Sequence, residues 1–432
     1  MLQIAPTWEA RPWDDPSRML CVDVARERIL AAFAPLPAVR VPIIDGLGFV
    51  LAADVVAGTD IPPFANSAMD GFAVRVEDTL DSSDASPARL RVIGQAAAGY
   101  PSDVLLLPGT AVRIMTGATI PAGADAVVRF EETDEAGHGV TAGAGSDGTI
   151  GIMRPAKPWA NIRAAGEDVR TGQRVLLAGS RLRPAEIGLL AALGRATVLV
   201  HRHPRVAVLA TGDELVDPGV APRPGQINNS NGASVAAMVR RSGGEPVMLG
   251  IARDTPEEVR DKLQAGADAD FLITTGGVSV GDYDIVKDVL CDVGQIDFWQ
   301  VRMKPGKPLA FGHIHGTPML GLPGNPVAAV VAFEQFARPA ILKLLGRTDL
   351  AIPTVLARLA DRVENRGGRR HFARVRVDAT AEGYVAHLSG AQGAGVLSSL
   401  AAANGLLVVP EDLPAGEVGM TLPVQMLDWE VG

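Results

Sequence analysis

Between residues 205 and 346 apolar runs of strand length alternate with helical runs, and this alternation restricts the fold more than any other feature. RVAVLATG (205–212), EPVMLGIA (245–252) and DFLITTGG (270–277) read as strands. SNGASVAAMVRR (230–241), TPEEVRDKLQAG (255–266) and DIVKDVLCDVG (284–294) read as helices. Strands and helices alternating at these lengths predict a parallel sheet with helices on both faces, a three-layer α/β domain. One boundary is predicted to the residue. Thr255, Pro256 and Glu258 have the spacing of a capping box with proline at the first helical position, so a helix should start at Pro256.

The flanking sequence has a different texture. Residues 58–158 carry short apolar runs (GFAVRV, RLRVIG, TAVRIM, DAVVRF) broken by Gly, Pro, Asp and Ser, which predicts a small β domain. Residues 18–35 show apolar positions at helical spacing. Pro184 opens another such pattern that stops at Gly194. Segments 1–57 and 159–203 are therefore expected to form a helical linker domain, 204–347 the α/β domain, and 348–432 a β-rich domain with strands such as PTVLARL and FARVRV. A length of 432 residues accommodates several domains.

Composition excludes several functions. A net charge of −9 gives no chain-wide footprint for nucleic acid. Two cysteines build neither a disulfide scaffold nor a cysteine-cluster metal site. Glu9, Asp14 and Asp15 stand where a secretory signal would need an apolar core. The uncharged stretches 308–333 and 383–410 are interrupted by Gly and Pro or by polar residues, so no membrane span is expected and the cytoplasm is the expected location.

Ligands of an open parallel sheet bind beyond the carboxyl ends of its strands. Those ends here supply Asp213 and Glu214, then Asp254, then Asp282 and Asp284. Single acids at such junctions commonly complement helix dipoles. Three successive tips carrying carboxylates instead point to a hard cation, Mg²⁺, serving an anionic ligand. Gly276, Gly277 and Gly281 are expected to shape a nest of backbone N–H groups. In LPGNP (322–326) Asn325 is the expected cap and Pro326 the first turn of a helix whose start could meet an anion, and Lys304 and Lys307 sit on the stiff turn MKPGKP.

Other motifs carry less. GAGSDG (143–148) matches a dinucleotide fingerprint without the strand and helix it requires. GVSVG (277–281) matches a nucleophile elbow, which keeps a serine hydrolase using Ser279 as a rival reading, although no helix follows the serine directly. The pairs His201/His203 and His313/His315 lack a third ligand pattern and read as partly exposed side chains. Asn66, Ser67 and Asp70, and separately Thr116 and Gly117, form polar clusters in the β domain.

Taken together, PPFANSAMDGFAVR, RIMTGATIPAGADAVV, RAAGEDVRTG, RVAVLATGDELV, GIARDTPEEV, TTGGVSVGDYD, MKPGKPLAFG and LPGNPVAAVVAFEQF resemble the MoeA family of molybdopterin molybdenumtransferases, related to the E domain of gephyrin. They occur in family order over about residues 15–430. The resemblance implies a multidomain α/β plus β protein: the helical linker, the inserted β domain, the α/β domain and a C-terminal β-barrel. It implies a cytoplasmic homodimer that inserts molybdate into adenylated molybdopterin with Mg²⁺ and releases AMP. Partners implied are a molybdopterin adenylyltransferase, met transiently, and apo-molybdoenzymes or their chaperones. The residues it points to for catalysis are Asp70, Thr116, Glu214, Asp254 and Asp284, and the physical reading expects Asp254 and Asp284 to hold Mg²⁺ with Glu214 supporting them as a metal ligand. Asp168, Lys304, Arg369 and Ser398 fall in its matched segments and are expected at the substrate, and the reading of the strand ends and turns adds Thr275, Gly276, Gly277, Ser279, Lys307, Gly324 and Asn325. In the C-terminal segments the assignment is shared between Arg369 and Arg370 and between Ser398 and Ser399. Gln300 and Asn229 depart from the pattern, standing where lysine and aspartate can occur. A non-catalytic gephyrin-like scaffold is the alternative that the resemblance leaves open.

Overall fold

The structure is a computed structural model, and it describes residues 19–135, 148–277, 289, 292 and 294–427. The described residues fall into two compact units. One contains residues up to Ala53, Gly179–Pro184 and Thr197 onward; the other contains Asp54–Ala178 and Ala185–Ala196.

The first unit is built on a six-stranded sheet. Its order is Glu245–Ala252, Arg205–Thr211, Phe271–Thr275, Thr317–Leu322, Pro308–Ile314, Gly294–Gln300. The first four strands are mutually parallel, Pro308–Ile314 runs antiparallel to both of its neighbours, and Gly294–Gln300 at the edge points the same way as the first four. The sheet is therefore mixed rather than wholly parallel. The cause is local: Ile314 pairs with Thr317, and only His315 (φ 49°) and Gly316 (φ 90°) separate them. A two-residue turn with two positive φ angles matches the strand twist of a hairpin and cannot make a parallel crossover.

Alternation along each strand divides the core into two layers. Val206 and Val208 face Val235, Val239, Phe333 and Phe336. Ala207 and Leu209 face the opposite layer, with Val259, Leu263 and Leu272. Helix Ser230–Arg241 starts where the Asn229 side chain accepts the Gly232 N–H at 2.9 Å. Helix Pro256–Ala265 starts as predicted, with Thr255 Oγ1 accepting the Glu258 N–H at 3.4 Å and proline in the first turn. The reciprocal half of the capping box is absent. Glu258 instead accepts the Arg253 N–H at 2.7 Å, which stabilises the turn before the helix.

Five strands of the C-terminal region close into a barrel. Arg370–Thr380 pairs with both Gly383–Leu388 and Gly405–Val409, while Thr421–Met426 joins Gly405–Val409 to Thr354–Leu359, which returns to Gly383–Leu388. Val355, Leu359, Ala373, Val375, Leu407 and Val424 fill it. The barrel is stitched to the α/β layer, because Met303–Lys304 runs parallel to Arg370–His371.

The segments expected to form a helical linker hold helices Val22–Ala31 and Pro184–Ala192, and also a three-stranded sheet of Ala38–Pro42, Thr197–His201 and Val50–Leu51. The second unit contains the expected β structure, a five-stranded sheet ordered Ala126–Arg129, Gly71–Val74, Thr110–Ile114, Ala88–Ala96, Thr149–Ile152. Phe72, Leu90, Ile150 and Ile152 cover one face and Ala73, Val112 and Val127 the other. Among the described residues no helix is long and apolar enough to cross a membrane.

Candidate active site

Two strands of the first unit end together in acids. Beyond Arg205–Thr211 the chain passes through Gly212 to Asp213 and Glu214, and beyond Glu245–Ala252 it reaches Asp254. The two tips are cross-bonded: the Asp254 N–H donates to Asp213 Oδ1 at 3.1 Å and the Asp213 N–H to Asp254 Oδ2 at 3.4 Å. Arg253 clamps the same turn by donating to the carbonyls of Asp213 (2.9 Å) and Leu215 (3.0 Å). The Glu214 carboxylate folds back over Gly212 into the space a Cβ there would occupy, and the positive φ of Gly212 (145°) is a backbone conformation that favours glycine.

Burial raises the Asp254 carboxyl above its ordinary range, and the negative charges of Asp213 and Glu214 push the same way. The bond from the Asp213 amide and the nearby Arg253 oppose them without prevailing. Oxygen donors crowded until one resists ionisation are the donor set that a hard divalent cation relieves. Among the described residues no group of three or more His, Cys, Asp or Glu side chains is arranged to hold a metal. Asp284, the third acid of the expected set, lies outside the described residues, as do Ser279, Gly281 and Asp282. Of the expected metal set, Glu214 and Asp254 are the two members that the described residues bring to one rim.

Both acids line a cavity of 560 Å³. With them stand Thr275, Gly276, Gly277, Gly324 and Asn325, so seven of the expected residues share one space. Among the described residues the buried Thr275 hydroxyl has no hydrogen-bond partner. A buried orphan hydroxyl costs free energy unless a ligand meets it. Gly276 (φ 90°) passes so close to the neighbouring strand that a Cβ would lie 2.9 Å from both the carbonyl and the hydroxyl oxygen of Thr211. The expected nest of amides is not formed at Gly276. Its N–H donates to the Leu322 carbonyl at 3.1 Å, extending by one residue the parallel ladder in which Thr275 pairs with Leu322.

The start of the helix at Pro326 also differs from expectation. Asn325 occupies the cap position but makes no side-chain cap bond, proline has no N–H, and Val327 donates its amide to the Ala394 carbonyl at 3.1 Å. A barrel loop thus takes a donor that an anion was expected to use. Asn231, which sequence reasoning missed, donates from Nδ2 to the Gly324 carbonyl at 2.7 Å and lines the cavity. Its signal was the INNSNG run at a helix start. Asn229 spends its side chain on the helix cap, a task aspartate would perform equally, so this departure leaves the local fold unchanged.

The other expected residues are placed elsewhere. Lys304 sits on the strand paired with Arg370–His371, and neither it nor Lys307 lines the cavity, although Pro308 of the same segment does. Arg370 is bound by Asp23 (2.9 and 3.1 Å) and by Glu411 (3.1 Å), and Ser399 is buried against Arg374. Arg369 is half-buried and Ser398 exposed, and neither makes those contacts. The carbonyl of Gln300 accepts the Leu20 N–H at 2.9 Å on the edge strand. His201 and His203 bond through Nδ1 to the carbonyls of Leu36 (2.6 Å) and Gly243 (2.7 Å), a structural use.

In the second unit Asp70 and Thr116 do meet. One Asp70 oxygen accepts both the backbone N–H (2.7 Å) and the hydroxyl (2.9 Å) of Thr116. Asp168 belongs to this unit too, exposed, with its N–H on the Ile61 carbonyl at 3.0 Å.

Comparison with known proteins gives this arrangement a family. Residues 20–194 match the MoeA N-terminal region (domain I and II), 207–343 a probable molybdopterin binding domain, and 356–427 the MoeA C-terminal region (domain IV). A molybdopterin molybdenumtransferase 2 of Mycobacterium tuberculosis is 40% identical over 393 residues, covering 89% of this chain and 94% of that protein. A molybdopterin molybdenumtransferase of Haemophilus influenzae is 36% identical over 418 residues, covering 96% and 100%. A crystal structure of a molybdopterin biosynthesis MoeA protein from Pyrococcus horikoshii superposes with a TM-score of 0.81 at 33% identity, over 95% of this chain and 100% of that one. Identity at this level along nearly the full length of each relative, on the same fold, places the chain in the MoeA family of molybdopterin molybdenumtransferases.

Proposed function

We propose that this enzyme inserts molybdate into adenylated molybdopterin and releases AMP in a Mg²⁺-dependent reaction. The observation that carries the proposal is the pair Glu214 and Asp254, crowded at one rim of a cavity with a raised Asp254 carboxyl. Bare carboxylates repel molybdate and phosphate. Glu214 and Asp254, with Asp284, would hold Mg²⁺, which when bound supplies positive charge and Lewis acidity to phosphate oxygens.

The chain's own residues then bind and orient. Thr275 offers a buried hydroxyl with unspent hydrogen-bonding capacity. Asn231 fixes the Gly324 peptide, and the Arg253 clamp fixes the turn that carries both acids, so little reorganisation is left for the moment of reaction. Lys304 and Lys307 are assigned to the oxyanions at the edge of the site, with Arg369 and Ser398. Asp70, Thr116 and Asp168 are assigned to catalysis and substrate through the family pattern, with the homodimer as the working assembly. No protein nucleophile is needed, since the dithiolene sulfurs of the substrate capture the metal. A cytoplasmic setting and a supplying adenylyltransferase follow from the same reading.

The test is AMP release from adenylated molybdopterin, with and without molybdate and Mg²⁺. Turnover should require both, and Asp254→Asn should lower it about a hundredfold or more while the fold persists. A well-folded protein that binds the substrate yet releases no AMP would refute the proposal in favour of a scaffold. Undiminished turnover of Asp254→Asn would refute the role of the acids.

A further inference from the structure

Beside the lysine segment the barrel buries two hydrogen-bond acceptors and leaves both unspent. His371 and Asn365 are each 2% exposed. Nδ1 of His371 stands 3.2 Å from the Glu364 carbonyl, which can only accept, so Nδ1 carries the proton and Nε2 presents a bare lone pair. Asn365 donates from Nδ2 to the carbonyls of Pro410 (2.8 Å) and Leu413 (3.1 Å), which fixes the amide and turns Oδ1 away from both. Among the described residues, His371 Nε2 and Asn365 Oδ1 have no hydrogen-bond partner. The two side chains are neighbours: His371 bonds the residue before Asn365 and pairs with Val409, the residue before Pro410.

The strand ladder and the local charge identify the donor they can meet. Lys304 is the register partner of His371 on a parallel strand, so the two side chains leave the same face of the ladder on strands about 5 Å apart. Burial first, and then the Lys304 charge, hold the imidazole down at about 4, with Arg374 and Arg369 pushing the same way. These cations disfavour a metal ion at the two acceptors and keep the ring neutral, so its lone pair persists. Lys304 is half-buried, and among the described residues its ammonium has no hydrogen-bond or ion-pair partner. An ammonium offers three donors on a flexible four-carbon stem. Two of them match the two acceptors, and the third remains for an anion. Neutral acceptors orient the ammonium and leave its charge available.

We propose that His371 is a positioning residue for Lys304: its Nε2, with Asn365 Oδ1 beside it, holds the ammonium so that one N–H points to an oxyanion of the substrate. This rests on the assignment of Lys304 to the oxyanions and adds what holds the lysine there.

His371→Asn and His371→Gln separate this role from a structural one. Counted in bonds from Cβ, the Asn amide reaches the place of Nδ1 and can keep the Glu364 bond, whereas the Gln amide reaches the place of Nε2 and can keep the acceptor. The full-length parent and variants, checked by thermal melting, are treated at pH 8 with trace acetic anhydride. Peptide mass spectrometry reads acetylation of Lys304 against the exposed Lys157 of the second unit. A held ammonium presents less free amine, so His371→Asn should acetylate Lys304 about three- to tenfold faster than the parent, and His371→Gln within about twofold of it. His371→Leu, which also lacks the acceptor, replaces His371→Asn if that variant does not fold. KM for molybdate in AMP release should rise in the same order, with kcat changed less. Parent-like acetylation of Lys304 in folded His371→Asn would overturn the inference, as would faster acetylation in His371→Gln than in His371→Asn. Acetylation that responds as expected while KM for molybdate stays unchanged would uphold the hold on Lys304 and refute its assignment to the oxyanions.

Discussion

Arg374 offers the sharpest test of how the barrel supports the acid-rimmed cavity. It is fully buried on strand Arg370–Thr380, and every hydrogen bond its side chain makes goes to a neutral group. Nε donates to Ser399 Oγ (3.2 Å), Nη1 to the Gln392 carbonyl (3.2 Å), and Nη2 to the carbonyls of Ala391 (2.8 Å) and Gly393 (3.0 Å). The loop GAQGAG (390–395) has no large apolar side chain with which to anchor itself, so the guanidinium organises it. That loop places the Ala394 carbonyl on the Val327 N–H, beside Asn325 and Pro326 in the cavity wall.

Arg374→Met removes the four bonds while keeping the apolar volume. Each charge-assisted bond contributes about 1.5–3 kcal/mol, so the gross loss is about 6–12 kcal/mol. Relief from desolvating a guanidinium returns several kcal/mol, and the exposed residues Ala391 and Gly393 allow water to replace part of the rest. A net loss of about 2–4 kcal/mol in the free energy of loop opening remains. At 1.4 kcal/mol per decade this corresponds to amide hydrogen exchange roughly 30- to 1,000-fold faster across 389–396 and at Val327. Hydrogen exchange by mass spectrometry reads this locally, which matters because a chain of two compact units need not unfold in one step. AMP release should fall about tenfold in kcat/KM. Unchanged exchange at 389–396 in a folded Arg374→Met protein would refute the reasoning.

Three further outcomes follow from the same structure. Because the folded Asp254 carboxyl is raised, its ionised form destabilises the fold at neutral pH and that cost is relieved as pH falls through the raised value. In metal-free buffer Asp254→Asn should therefore melt higher than the parent at pH 7, with the gap narrowing towards pH 4; a lower melting temperature at pH 7 would contradict this. His371 is lowered to about 4 by burial and by the charge of Lys304, so it remains neutral in the fold while the unfolded chain takes up a proton below about 6.5. Its contribution is undiminished above pH 6.5 and falls by about 3 kcal/mol as pH drops to about 4; His371→Gln should flatten that part of a denaturation–pH profile. Gly276→Ala forces a side chain into positive φ against Thr211, and should cost about 1–3 kcal/mol in chemical denaturation and weaken molybdopterin binding.

What could be read from the sequence was what periodicity and strand ends determine. The strands at 205, 245 and 271, the helix start at Pro256 and the gathering of Glu214 with Asp254 all depend on residues near one another in the chain. Strand direction beyond residue 300 depended on one two-residue turn, His315–Gly316, inside a glycine-rich run that masks a hairpin signal. Amide availability was not legible either. Whether Gly276 or Val327 has a free N–H is decided by Leu322 and Ala394, partners that only the folded chain brings near. The same holds for Asn231, whose bond to Gly324 spans 93 residues.

These long-range contacts also explain why the barrel cannot be an independent appendage. Lys304 is delivered to its position by strand pairing with Arg370 and His371, and the helix start at Pro326 is completed by a carbonyl from a loop that Arg374 organises. A mutation in the barrel interior is therefore transmitted to the cavity in the α/β layer by two routes, one through a β-ladder and one through a single hydrogen bond. The ladder is short and flanked by Pro305 and Gly306, so it resists repacking poorly. Destabilising the barrel should accordingly disturb the lysine segment and the Val327 amide before it disturbs Glu214 and Asp254, whose clamp through Arg253 is wholly within the α/β layer.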